Sequence, residues 1–122
     1  MKYRILLWLM ALRFKRAIRR QPAFREALQD IDRTIQFTTD ERKVSRYLAF
    51  RDQRLKSRRG QAEHADITLR FTTASEGFST LWAMATGKDR NAVMKAIQDK
   101  RLAVEGDPML LMWFQKTVKF LR

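Results

Sequence analysis

The chain has 122 residues, no cysteine, and 26 basic against 13 acidic side chains, giving a formal net charge of +13 and a pI near 11.1. That length fits one domain with a modest core, and the lack of cysteine excludes a disulfide framework, thiolate chemistry and cysteine metal ligands. The charge favours polyanionic partners, whether nucleic acid, anionic lipid headgroups or an acidic protein.

Residues 2–20 contain no Gly or Pro and read as a helix. At about 100° per residue, Leu7, Met10, Phe14, Ala17 and Ile18 share one face, and Arg13, Arg16 and Arg20 the opposite one. Ile5 to Leu12 is apolar nearly all round. It resembles the start of a signal peptide, but Arg13, Lys15, Arg16, Arg19 and Arg20 follow at once, where cleavage needs small polar residues. The segment is therefore expected to be retained. No apolar run reaches the roughly 20 residues of a membrane span. Pro22 fits the first turn of a second helix, with Phe24, Ala27, Leu28 and Ile31 as its apolar stripe.

From residue 34 the pattern alternates. Ile35 and Phe37 point one way in a first strand, Asp40 and its neighbours turn, and Leu48 and Phe50 repeat the alternation over 47–51. The basic stretch 51–60, with Leu55 its one large apolar residue, is a candidate third strand on a sheet edge, where charge opposes aggregation. Ile67, Leu69 and Phe71 mark the clearest strand. Thr73 to Glu76 fits a capping box for a helix with the stripe Phe78, Leu81, Trp82 and Ala85, stopped at Gly87. Asp89 is placed as the cap of a further helix burying Val93, Met94 and Ile97, and Leu102 and Val104 as a short strand. Asp107-Pro108 is an N-cap with proline at the first helical position. The order read this way is α-α-β-β-β-α-α-β-α. It predicts an α+β layer whose mostly antiparallel sheet has one apolar face covered by helices.

Catalytic signals are sparse. His64 is the single histidine and lies in a polar loop. There is no nucleophile–base pair, glycine-rich phosphate loop or metal-ligand cluster, and Asp107 beside Glu105 is more simply a helix cap. No enzyme activity, cofactor or metal is expected. Arg42, Lys43, Arg46, Arg51, Arg54, Lys56, Arg58 and Arg59 suit phosphates, so a nucleic-acid-binding module stays open, although no recognised nucleic-acid motif is present. Trp8, Leu9, Leu12 and Phe14 beside Arg13, Lys15, Arg16, Arg19 and Arg20 have the composition of an interfacial helix. Trp8, Leu12, Arg13, Arg16 and Arg20 are its docking candidates for an anionic membrane. Packing on the domain, or on a second copy in a homodimer, is the alternative.

The last helix carries a polar stripe of Gln115, Lys116 and Lys119 about 100° wide. Leu110, Leu111, Trp113, Phe114, Val118, Phe120 and Leu121 cover the rest. Such a helix is buried on two sides, dimerises, or walls a cavity for an apolar ligand. Burying a chain of about 16 carbons is worth roughly 13 kcal/mol gross, before ordering costs.

Three segments together resemble the sterol carrier protein family, of the second, small-domain type. They are Ala65-Asp-Ile-Thr-Leu-Arg-Phe-Thr, a helix ending Thr86-Gly-Lys, and Met94-Lys-Ala-Ile-Gln-Asp-Lys-Arg-Leu-Ala-Val-Glu-Gly-Asp107. The likeness covers about residues 31–121. It departs at Asp99, where the family pattern has glycine, and at Lys100-Arg-Leu, where it has Lys-Leu. The resemblance implies a five-stranded sheet covered by helices around an apolar tunnel for a fatty acyl chain, sterol or other lipid. By position, Phe78, Leu81, Trp82, Leu102, Val104, Leu110, Leu111 and Phe114 would line it. Similar bacterial members include accessory lipid carriers of ubiquinone biosynthesis, thought to hold polyprenyl intermediates. Residues 1–30 then form basic amphipathic helices added to a lipid-binding domain at 31–122. The expectation is a cytoplasmic, non-catalytic lipid carrier, peripheral on the inner membrane face.

Overall fold

The computed structural model describes residues 2–40 and 44–121. Helix α1 (Lys2–Arg20) is followed by α2 (Pro22–Ala27), and the strands β1 (Arg33–Thr39), β2 (Ser45–Arg51), β3 (Arg54–Arg59) and β4 (Ile67–Phe71) come next. Helices α3 (Ala74–Ala85) and α4 (Ala92–Gln98) precede β5 (Leu102–Gly106), and α5 (Pro108–Thr117) runs into a 3₁₀ turn (Val118–Leu121). Four strands therefore precede α3, one more than the order read from the sequence. The extra one is the basic stretch: β3 is a strand and lies on the sheet edge, as its charge suggested.

The sheet has five strands in the order β3-β2-β1-β4-β5. It is mostly antiparallel, with one parallel pair, β1 with β4, at its centre. The register puts Ile35, Phe37, Leu48, Phe50, Leu55, Ile67, Leu69, Phe71 and Leu102 on one face, all buried. The other face is polar, with Arg70 bridging Asp40 at 3.1 Å and Glu105 at 2.8 Å.

The helices pack on the apolar face. Phe14 sits among three rings, with centroids 5.8 Å from Phe24, 5.7 Å from Phe50 and 6.0 Å from Phe114. One core cluster runs from Tyr3 to Leu121. Helices α1 and α2 thus share one core with the sheet and the later helices.

Two motifs of the resemblance meet in space. The Asp66 carboxylate accepts the Thr34 N–H at 2.7 Å, while its carbonyl accepts the Asp107 N–H at 3.0 Å. Gly106 is required there: its φ is +119°, and a Cβ would fall 2.3 Å from the Asp66 carbonyl oxygen. Asp107 Oδ1 then accepts the Met109 N–H at 2.9 Å, capping α5 as expected.

Several local expectations are corrected. The β2–β3 hairpin turns through Asp52 and Gln53 at φ +54° and +59°, left-handed positions without a glycine to announce them. Thr73 caps α3, but the Glu76 carboxylate goes to Arg101 at 3.0 Å. Asp89 is not the N-cap of α4, which begins after Asn91. It accepts the Asn91 N–H at 2.9 Å and pairs with Lys95 at 2.9 Å, two bonds that hold its carboxyl below the usual range, the Lys95 bond most. Met94 is exposed rather than buried, because α4 turns Ala92, Val93 and Ala96 inward.

Candidate lipid-binding interior and basic helix

The eight residues expected to line a tunnel divide three ways. Leu81, Leu102, Leu110, Leu111 and Phe114 are buried in the core cluster. Phe78 and Val104 are half-buried against it. Trp82 does not turn inward: it is 48% exposed and stacks on Phe78 at 5.8 Å. Helix α3 buries Gly77, Thr80, Leu81 and Met84, a face rotated from the stripe of large side chains. Small residues on that face let α1 approach closely, with the Tyr3 ring against Gly77.

The interior between sheet, α3 and α5 is filled by the inner face of α1. Tyr3, Leu6, Leu7, Met10 and Phe14 all lie buried there. Tyr3 meets Phe71 edge-on at 5.9 Å, and Phe114 packs on Phe37 at 5.6 Å. Two surface depressions, of about 270 and 500 Å³, are polar and include none of the eight residues.

Helix α1 is apolar on two sides. Besides its buried face it exposes Ile5 (54%), Trp8 (50%), Leu9 (44%) and Leu12 (42%), spaced as one helical stripe. Beyond Leu12 the exposed surface turns basic, with Arg13, Lys15, Arg16, Arg19 and Arg20. Arg13, Arg16 and Arg20 rim the smaller depression, whose floor includes Ala17, Phe120 and Leu121. No helix among the described residues is long and apolar enough to cross a membrane.

The described basic residues suited to phosphates divide between two sheet faces. Strand alternation puts Arg51, Arg54, Lys56 and Arg58 on the open sheet face, and Arg46 and Arg59 on the other. Burial, and then the facing Arg59, lower the pKa of Arg46, which donates to Ser57 Oγ at 2.8 Å. Arg42 and Lys43 lie outside the described residues. His64 is exposed in the loop before β4, and among the described residues no three metal-ligating side chains cluster.

These features define a small α+β domain with an apolar interior between one sheet face and its helices. The sequence pattern of the SCP-2 sterol transfer family matches residues 14–119, and the chain belongs to that family. No curated protein matches it by sequence. Among solved structures, "UbiJ-SCP2 Ubiquinone synthesis protein" is similar at a TM-score of 0.68 and 19% identity, covering 88% of this chain and 84% of that one. Sterol Carrier Protein 2 from Yarrowia lipolytica, in its apo form, is similar at 0.59 and 16%, covering 91% and 85%. The sec-alkylsulfatase Pisa1 from Pseudomonas sp. is 26% identical at a TM-score of 0.54, over 70% of this chain but 12% of the sulfatase.

Proposed function

We propose that this chain binds and carries an apolar lipid, of fatty acyl, sterol-like or polyprenyl–quinone type, without a catalytic step. The ligand would lie between α3, β5, α5 and the inner face of α1, against Leu81, Leu102, Leu110, Leu111 and Phe114, with Phe78, Trp82 and Val104 at the margin. The observation that carries the reading is the doubly apolar α1. Its inner face occupies the volume a lipid needs, and its outer face offers that helix another place to go. On an anionic membrane, Trp8 and Leu12 would enter the interface, while Arg13, Arg16 and Arg20 meet headgroups at about 1 kcal/mol each. Moving α1 toward the bilayer would open the interior for loading, and α1 would close again over the bound ligand. Residues 1–30 would then act as the docking unit and 31–122 as the lipid-binding unit, on the cytoplasmic face of the inner membrane.

Native mass spectrometry of protein purified from cells, followed by organic extraction, tests the carrier reading. A co-purified lipid is expected. Absence of any lipid, together with no uptake of fluorescent acyl or prenyl probes, would sink it.

A further inference from the structure

Three buried hydroxyls in the interior have no hydrogen-bond partner among the described residues: those of Tyr3, Thr39 and Thr80. The residues are 1%, 2% and 3% exposed. Buried hydroxyls are usually paired, so three orphans in so small a core need a reason.

The fold brings them to one end of the interior. Tyr3 Cζ, which bears the hydroxyl, lies 2.7 Å from the position of a Cβ on Gly77. Thr80 is the next buried residue on that face of α3, and residues three apart on a helix are neighbours at about 5–6 Å. The Tyr3 ring also abuts Phe71, whose register partner on β1 is Thr39. Paired residues on parallel strands point to the same face, about 5 Å apart. The three residues therefore lie at one end of the interior, where the N-terminal turn of α1, the middle of α3 and the C-terminal ends of β1 and β4 meet.

We propose that this end of the interior is a headgroup subsite for a lipid that ends in an uncharged oxygen function: a hydroxyl, carbonyl or ether. The inference rests on the lipid-carrier reading and adds which end the head occupies and what chemistry it has. Tyr3 and the threonines donate to the ligand oxygen, and the threonines also accept from a ligand hydroxyl. An uncharged head suits this end, since no ionised side chain is buried among the described residues. A carboxylate or phosphate there would lose its hydration without a cation in exchange. Burial also raises the Tyr3 pKa, which keeps its proton available for donation.

The test uses the full chain and four probes: 1-dodecanol, 2-tridecanone, dodecane and dodecanoate. Calorimetric titration gives affinities, and amide shifts at Thr39, Gly77 and Thr80 locate the head. Dodecanol and tridecanone are expected to bind more tightly than dodecane and dodecanoate and to shift those amides. The double variant Tyr3→Phe/Thr80→Val, which keeps shape, is expected to weaken the oxygenated probes about tenfold and leave dodecane unchanged. Equal affinities for all four probes, or equal losses in the variant, would overturn the headgroup subsite and leave the carrier reading standing. A higher melting temperature in the variant with unchanged affinities would show hydroxyls served only by buried water, and would also overturn it. Failure of every probe and of larger lipids to bind would end both readings.

Discussion

The phenol ring of Tyr3 occupies the space that a side chain at position 77 would need. A Cβ on Gly77 falls 2.7 Å from Tyr3 Cζ and 2.8 Å from Cε2. This contact fixes the N-terminal turn of α1 against α3. Alanine is about 1 kcal/mol better than glycine within a helix, whereas overpacking costs about 1–3 kcal/mol. Gly77→Ala is therefore expected to lower stability by about 1 kcal/mol in urea melts followed by tryptophan fluorescence. In a Tyr3→Ala background the same change should stabilise instead. The sign reversal between backgrounds is the measurement that matters.

Alkaline pH should loosen the same contact. Burial raises the Tyr3 pKa, so the phenolate forms far more readily in the unfolded chain, where the value is near about 10. The stability this confers is present below that pH and is lost as pH climbs above it. The melting temperature of the native chain should thus drop more steeply above pH of about 10 than that of Tyr3→Phe. Parallel curves would show that the ring is not held as described.

Lys100 adopts φ +60° in the turn between α4 and β5. A side chain in this left-handed region costs about 1–2 kcal/mol, and glycine avoids it at some cost in unfolded-state entropy. Lys100→Gly is expected to raise the unfolding free energy by about 0.5–1 kcal/mol. Arg101, beside it, should remain on Glu76 and Asp99, each at 3.0 Å.

The outer stripe of α1 is open to a direct test. Trp8→Gln/Leu12→Gln should leave thermal stability nearly unchanged, because both side chains are already about half exposed. Sedimentation with phosphatidylglycerol vesicles should fall at least about tenfold. Neutralising Arg13, Arg16 and Arg20 should instead weaken the salt dependence of binding. Unaltered sedimentation, with a change in oligomer size on a sizing column, would reassign the stripe to self-association.

Much of the architecture is legible where a residue's chemistry has a single outlet. The alternation Ile67, Leu69, Phe71 and the pair Asp107-Pro108 appear in the structure where their patterns place them. The inner face of α1 is equally plain, from Leu7 to Ile18. Hidden features depend on contacts distant in sequence. Nothing local in Asp52-Gln53 announces a left-handed turn. Nothing in Gly77 announces that its missing side chain admits Tyr3, and so the stripe Phe78, Leu81, Trp82 and Ala85 contains only Leu81 of the residues α3 buries. The orphan hydroxyls of Tyr3, Thr39 and Thr80 carry no sequence signal, since each residue is ordinary in its own element.

The side chain of Gln21 reaches across 99 positions to donate to the Phe120 carbonyl at 2.9 Å, and Phe24 stacks on Phe120 at 4.7 Å. Two distant parts of the chain are thus joined at the 3₁₀ turn. At about 5–20 residues per second, a ribosome needs roughly 5–20 s to deliver Phe120 after Gln21. Through that interval α1 lacks its C-terminal partners while it is still tethered. Both apolar sides of the helix are uncovered during that interval, whereas the folded domain covers one of them.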